Sequence, residues 1–219
     1  MKREIEMTQS SSGNWTWQRP ALAACAGVLA VALFALPRLA RAEHTWWPRV
    51  PGDIRVQDGS RPYLKGHAVG TQNYVCLPSA TGFAWTLFGP QATLFDDDDK
   101  QIITHFLSRN PDEAGLARAT WQHSRDTSAV WASLFSQSSD PAYVASGAIP
   151  WFLLQVVGDE YGPTGGHQLT RTTWIQRVNT RAGIAPATGC ALAADLGKKA
   201  LVPYEADYIF YKGTNDDDD

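Results

Sequence analysis

Ile149-Pro150-Trp151-Phe152-Leu153-Leu154-Gln155-Val156-Val157 is the one sustained apolar run downstream of the N-terminal segment. Its β-branched and aromatic residues, opened by Gly147 and Pro150 and closed by Gly158, read as a strand covered on both faces rather than as a helix. The flanking chain must therefore supply cover on two sides. A length of 219 residues with 44% hydrophobic and 11% aromatic content suffices for one domain with a real core. Seven of the nine tryptophans follow residue 43, which fits aromatic-rich β structure.

Working outward, short strands are expected at 71–77, 83–88, 92–95, 101–107, 120–123, 128–134, 149–157, 172–179 and 201–212, separated by turn signals such as Gly89-Pro90 and Asn110-Pro111-Asp112. Alternation places Gln72, Tyr74 and Cys76 on one face of the first strand, and Tyr204, Ala206, Tyr208 and Phe210 on one face of the last. Nine or so short strands with little helix indicate an all-β, mainly antiparallel sandwich or barrel. The stretch 43–66, rich in Pro, Gly and charge, is read as an extended arm that Trp46 and Trp47 are placed to staple onto a single domain at 67–212. Residues 213–219 are read as an acidic tail.

Residues 1–42 have the shape of a signal peptide: a polar start with Lys2 and Arg3, an uncharged run from Ala21 to Leu36, then Ala40-Arg41-Ala42 before an expected cleavage at Glu43. The alternative is an uncleaved membrane anchor, for which the run is short. Cleavage leaves 14 basic and 20 acidic residues, a net charge of −6, which with no basic cluster excludes a nucleic-acid partner. Membrane contact is expected only through an uncleaved leader. The mature chain keeps Cys76 and Cys190 alone, and a periplasmic or extracellular location makes a disulfide between them the expected state.

Several segments together resemble the DUF3455 family: Gly70-Thr71-Gln72-Asn73-Tyr74-Val75-Cys76, Trp85 to Asp96, Ala148-Ile149-Pro150-Trp151, Ile175-Gln176-Arg177-Val178-Asn179-Thr180, Gly189-Cys190 and Val202-Pro203-Tyr204. The resemblance implies a leader followed by one domain, and brings no established activity or catalytic residues. Arg181-Ala182-Gly183 stands where relatives lead one to expect a glycine pair. Some fungal relatives carry the label malate dehydrogenase, which the residues do not support. Gly162-Pro163-Thr164-Gly165-Gly166 has neither the spacing nor the following helix of a dinucleotide-binding turn.

No motif names a specific reaction. The histidines show no His-x-x-x-His spacing and Asp96 to Asp99 lacks the spaced ligands that wrap calcium, so neither a metal nor another cofactor is expected. The polar residues Gln72, His105, Gln176 and Arg177 lie inside expected strands, with Asp207 on the last. They form the candidate polar pocket. Two accounts of Arg177 compete: a core network in which it pairs with Asp207 or Glu205, and a pocket at a barrel or sandwich mouth that holds a small molecule. The expected function is a non-enzymatic small-ligand binding or structural protein. The alternative is a hydrolase or other enzyme assembled from separate strands, with His105 oriented by Asp207 or Glu205.

Overall fold

The computed structural model describes residues 47–214. The expected signal peptide or anchor and most of the acidic tail lie outside the described residues. Among the described residues no helix is long and apolar enough to cross a membrane, which says nothing of a β-barrel.

Eight antiparallel strands follow one another around a closed barrel: β1 (Ser60–Ser79), β2 (Gly82–Phe95), β3 (Gln101–Asn110), β4 (Leu116–His123), β5 (Ala129–Ser138), β6 (Trp151–Glu160), β7 (Trp174–Ala182) and β8 (Lys199–Gly213). β8 returns to β1 over the long register Ser60 to Val75 against Gly213 to Lys199, and this pairing closes the ring. The expected all-β class holds, as a barrel. Its strands are fewer and longer than the sequence reading, because the segments 83–88 and 92–95 are one strand. Gly89-Pro90 does not break it. Asn73 pairs with Gly89 and Tyr74 with Leu87, so Phe88 is an extra residue in a β-bulge. β2 meets β3 only from Ala92 to Phe95, so Pro90 has no partner there for its missing N–H to fail. β1 also begins earlier than expected, taking residues 60–66 from the stretch read as an arm.

Alternation decides what fills the barrel. Gly66, Ala68 and Gly70 of β1 stand opposite Tyr208, Ala206 and Tyr204 of β8, so small residues on one strand make room for large rings on the next. A Cβ on Gly70 would come within 2.2 Å of the Gln91 carbonyl oxygen, so no larger residue fits. Leu94, Ile103, Trp121, Val130, Leu154, Ile175, Tyr208 and Phe210 complete this inner core.

A second core lies outside the ring, where Trp151, Leu153, Trp174, Val178, Ile209 and Tyr211 are covered by Ile54, with Trp47, Val50 and Val56 packed against them. This explains the apolar run that organises the sequence. From Trp151 to Leu154 alternate residues serve the inner and the outer core, and beyond Gln155 the outer cover ends and the strand becomes half-exposed. The described part of the arm includes a 3-10 turn at Gly52–Ile54 and packs onto the barrel through Trp47, Val50, Ile54 and Val56. Gln176 fastens it, donating from Nε2 to the Ile54 carbonyl at 2.6 Å while its Oε1 accepts from the Tyr211 hydroxyl.

Cys76 and Cys190 form a disulfide with a Cα–Cα distance of 5.5 Å. It ties the part of β1 that extends beyond the β2–β3 pairing to the segment before β8. There the Cys76 amide donates to the Lys198 carbonyl at 2.9 Å and the Gly197 amide to the Cys76 carbonyl at 3.0 Å.

Candidate functional site

One polar cluster sits inside the barrel. His105 on β3 stacks on Trp121 of β4 with ring centroids 4.2 Å apart, and Tyr208 meets both rings edge-on at 5.1 and 5.6 Å. The Tyr204 and Tyr208 hydroxyls lie 3.3 Å apart. Burial raises both phenols above the ordinary phenol value, so both stay neutral. Burial also pushes the His105 pKa down to about 3, and its Nδ1–H donates to the Thr120 carbonyl at 2.8 Å. His105 is therefore a neutral imidazole held by a backbone carbonyl. No carboxylate orients it, which removes the acid–base pairing expected with Asp207 or Glu205.

Arg177 brings the one unbalanced charge into this cluster. It is 7% exposed, its Cζ lies 3.7 Å over the Phe152 ring centre, and Nη2 donates to the Pro150 carbonyl at 2.8 Å. No ion pair of the described residues includes it. The other buried charge, Asp195, shows the usual arrangement: it accepts from Lys198 at 2.6 Å and from the amides of Ala191 and Leu192 at 3.0 Å. Within the barrel Arg177 Nε, Gln72 Nε2 and Trp121 Nε1 lack a well-formed hydrogen bond, although the Arg177 and Gln72 side chains reach the Tyr208 and Tyr204 hydroxyls and so oppose the rise of those phenols. A buried donor without a partner costs about 1–3 kcal/mol, and an unpaired buried ion several. A group of side chains with spare donors and a spare positive charge is suited to an acceptor that carries negative charge.

The barrel end nearest Arg177 is crossed by the Ala148–Pro150 segment, joined to Gly183 by an isolated bridge. A Cβ on Gly183 would meet Tyr204, Ile149 and Gln72 atoms at 2.9 to 3.3 Å, so glycine lets this crossing lie directly on the cluster. Ala182 beside it has φ 53°, the left-handed region that glycine tolerates best. The glycine expected there would relieve that conformation.

Three of the five candidate pocket residues thus come together: Gln72, His105 and Arg177. Gln176 and Asp207 do not join them. Gln176 faces the outer core under the arm. Asp207 lies outside because Tyr204, Ala206 and Tyr208 point inward and a strand alternates. The expected pairing of Arg177 with Asp207 or Glu205 fails for the same reason, since Arg177 stands opposite Tyr208. Asp207 instead accepts from His67 Nδ1 at 2.6 Å and from Asn179 Nδ2 at 2.7 Å. His67 Nε2 reaches Asp97 at 2.8 Å, and Lys65 reaches the same carboxylate oxygen at 2.6 Å. A carboxylate at each ring nitrogen favours the protonated form of His67. Burial opposes its charge, but Asp97 and Asp207 outweigh burial and raise its pKa.

A family model described as a protein of unknown function, DUF3455, matches residues 57–212. The chain belongs to the DUF3455 family. No curated protein and no solved structure matches it. The matched span of this DUF3455 domain includes all eight strands apart from the last residue of β8. It therefore contains the whole interior cluster. Reading the sequence missed Tyr204, Tyr208, Trp121 and Phe152 as members of that cluster. The tyrosines were legible as one face of a strand, but nothing local indicated that β8 would lie beside both β1 and β7.

Proposed function

We propose that this DUF3455 domain is an exported, non-catalytic binding protein for a small molecule with an anionic group, held at the barrel end by Arg177. The reading rests on one observation: the Arg177 guanidinium is buried without a carboxylate partner among the described residues. Gln72 Nε2 and Trp121 Nε1 add donors to the same cluster, and Phe152 under the guanidinium offers an apolar surface to the rest of the ligand. Its non-catalytic character is argued from His105, the one histidine of the inner cluster, which is neutral, has no orienting carboxylate, and spends Nδ1 on a backbone carbonyl. Export is supported by the leader-like N-terminus and by the disulfide, which is at home in an oxidising compartment.

The test is a thermal-shift series on the mature domain with benzoate, hexanoate and inorganic phosphate, run on the wild type and on Arg177→Met. At least one anion is expected to stabilise the wild type. At a hundredfold excess over Kd the gain is about 2.7 kcal/mol, roughly 5–10 °C for a domain of this size. Arg177→Met is expected to lose that response while keeping the fold, as circular dichroism checks, the relief of the buried charge being offset by loss of the bond to the Pro150 carbonyl. An equal shift in both proteins, or no shift of the wild type by any of the three, would exclude the reading.

A further inference from the structure

A groove of about 530 Å³ runs along the outside of the barrel, lined by His67, Tyr143, Trp151, Asn179, Arg181, Glu205 and Asp207 among others. It is separate from the interior cluster, since residues 205 and 207 of β8 point away from it. The groove is built by an irregularity in the sheet. Between Val178 and Arg181 the β7–β8 register shifts by one residue, and Asn179 adopts φ 52°. Bulges of this kind re-aim side chains beside sites. Here the bulge turns Asn179 onto Asp207, which in turn fixes His67.

The charges in the groove cancel. His67 is set against Asp207 and Asp97, Lys65 against Asp97, and Arg181 lies 3.7 Å from Glu205. On the groove wall itself two basic side chains, His67 and Arg181, face two carboxylates, Asp207 and Glu205, so neither sign is in excess. What remains is a dense alternation of donors and acceptors. A hydroxyl, which donates and accepts at one atom, matches such a surface. Tyr143, 38% exposed, also lines the groove and packs edge-on against Trp151 at 5.9 Å, adding an aromatic ring to the polar residues. Trp151 also lines the groove and is 4% exposed, its indole N–H being buried.

We infer that this outer groove binds a neutral polyhydroxylated ligand, a saccharide unit whose vicinal hydroxyls meet Asp207, Asn179, Glu205 and Arg181 while its C–H face packs on Tyr143. The ligand of the interior site is a different molecule, and either site can fail its test without the other.

The experiment titrates the mature domain with maltotetraose, cellotetraose and chitotetraose, following tryptophan fluorescence and calorimetric heat, beside tetragalacturonate and a glucosamine tetramer as charged counterparts. At least one neutral oligosaccharide is expected to bind with Kd below about 1 mM, and Tyr143→Ala and Asp207→Asn are each expected to weaken it at least about tenfold. Circular dichroism and melting of both variants show whether either has lost the fold, and Tyr143 lies between β5 and β6, outside the barrel strands. No binding by any neutral member, tighter binding of either charged counterpart, or unchanged affinity in a folded Tyr143→Ala would each overturn the assignment.

Discussion

Trp121→Ala is expected to lower the stability of the domain by about 3–5 kcal/mol, the range for emptying a large aromatic site in a core. The side chain is fully buried and forms the centre of the inner ring stack, with His105 at 4.2 Å on one face and Tyr208 and Phe210 edge-on at 5.6 and 6.4 Å. Collapse into the space is hindered because β4 is hydrogen-bonded to β3 and β5 at this level, Trp121 pairing with His105 and Val130. One term works in the other direction: the indole N–H has no partner, so deleting it removes a penalty of about 1–3 kcal/mol. The alanine variant is therefore expected near the lower end of the range. Trp121→Phe, which keeps a ring and drops the orphan donor, is expected to lose clearly less. Urea denaturation of the three proteins checks both values, and equal midpoints for wild type and Trp121→Ala would show that the ring stack does not carry the inner core.

The sequence made the class of this fold legible and hid its closure, for a definite physical reason. Alternation is local, so the inward set Tyr204, Ala206, Tyr208 and Phe210 could be read directly, as could the inward Gln72 and Cys76 on β1. Parity alone then excluded Asp207 from any site shared with Tyr208. Pairing partners are not local. Nothing near Gly66, Ala68 or Gly70 indicates that they are small because Tyr208, Ala206 and Tyr204 lie opposite, and that match is what closes the barrel. Gly89-Pro90 was misleading because a Gly-Pro pair breaks a strand only where both edges must bond. Before Ala92 no β2 residue pairs with β3. The candidate site divided along the same line. Gln72, His105 and Arg177 were recognisable as polar residues in apolar strands, whereas the His67–Asp207 contact spans 140 positions and depends wholly on β1 meeting β8.

Reducing the Cys76–Cys190 disulfide is expected to have the largest effect of all on the domain. The two residues are 114 positions apart, and closing a loop of about one hundred residues contributes about 4.7 kcal/mol in the chain-entropy account. For a domain of this size that corresponds to a fall in Tm of roughly 9–19 °C. The bridge also acts on the folded protein. β1 and β2 run on past the last β2–β3 pair as a two-stranded extension, held on one side by the start of β8 and on the other by nothing in the sheet. The segment carrying Cys190 fastens it, together with the Trp85 Nε1 bond to the Thr188 carbonyl at 2.9 Å. Loss of the bridge is therefore expected to raise amide exchange first at 74–88 and 184–198, ahead of β4 to β7. Calorimetry with and without a reductant, repeated on a Cys76→Ala, Cys190→Ala double variant, measures the global term, and hydrogen exchange measures the local one. An unchanged Tm in both experiments would show that the β1–β8 register alone keeps this end of the barrel closed. Two free thiols in protein taken from its native compartment would remove the disulfide as support for export.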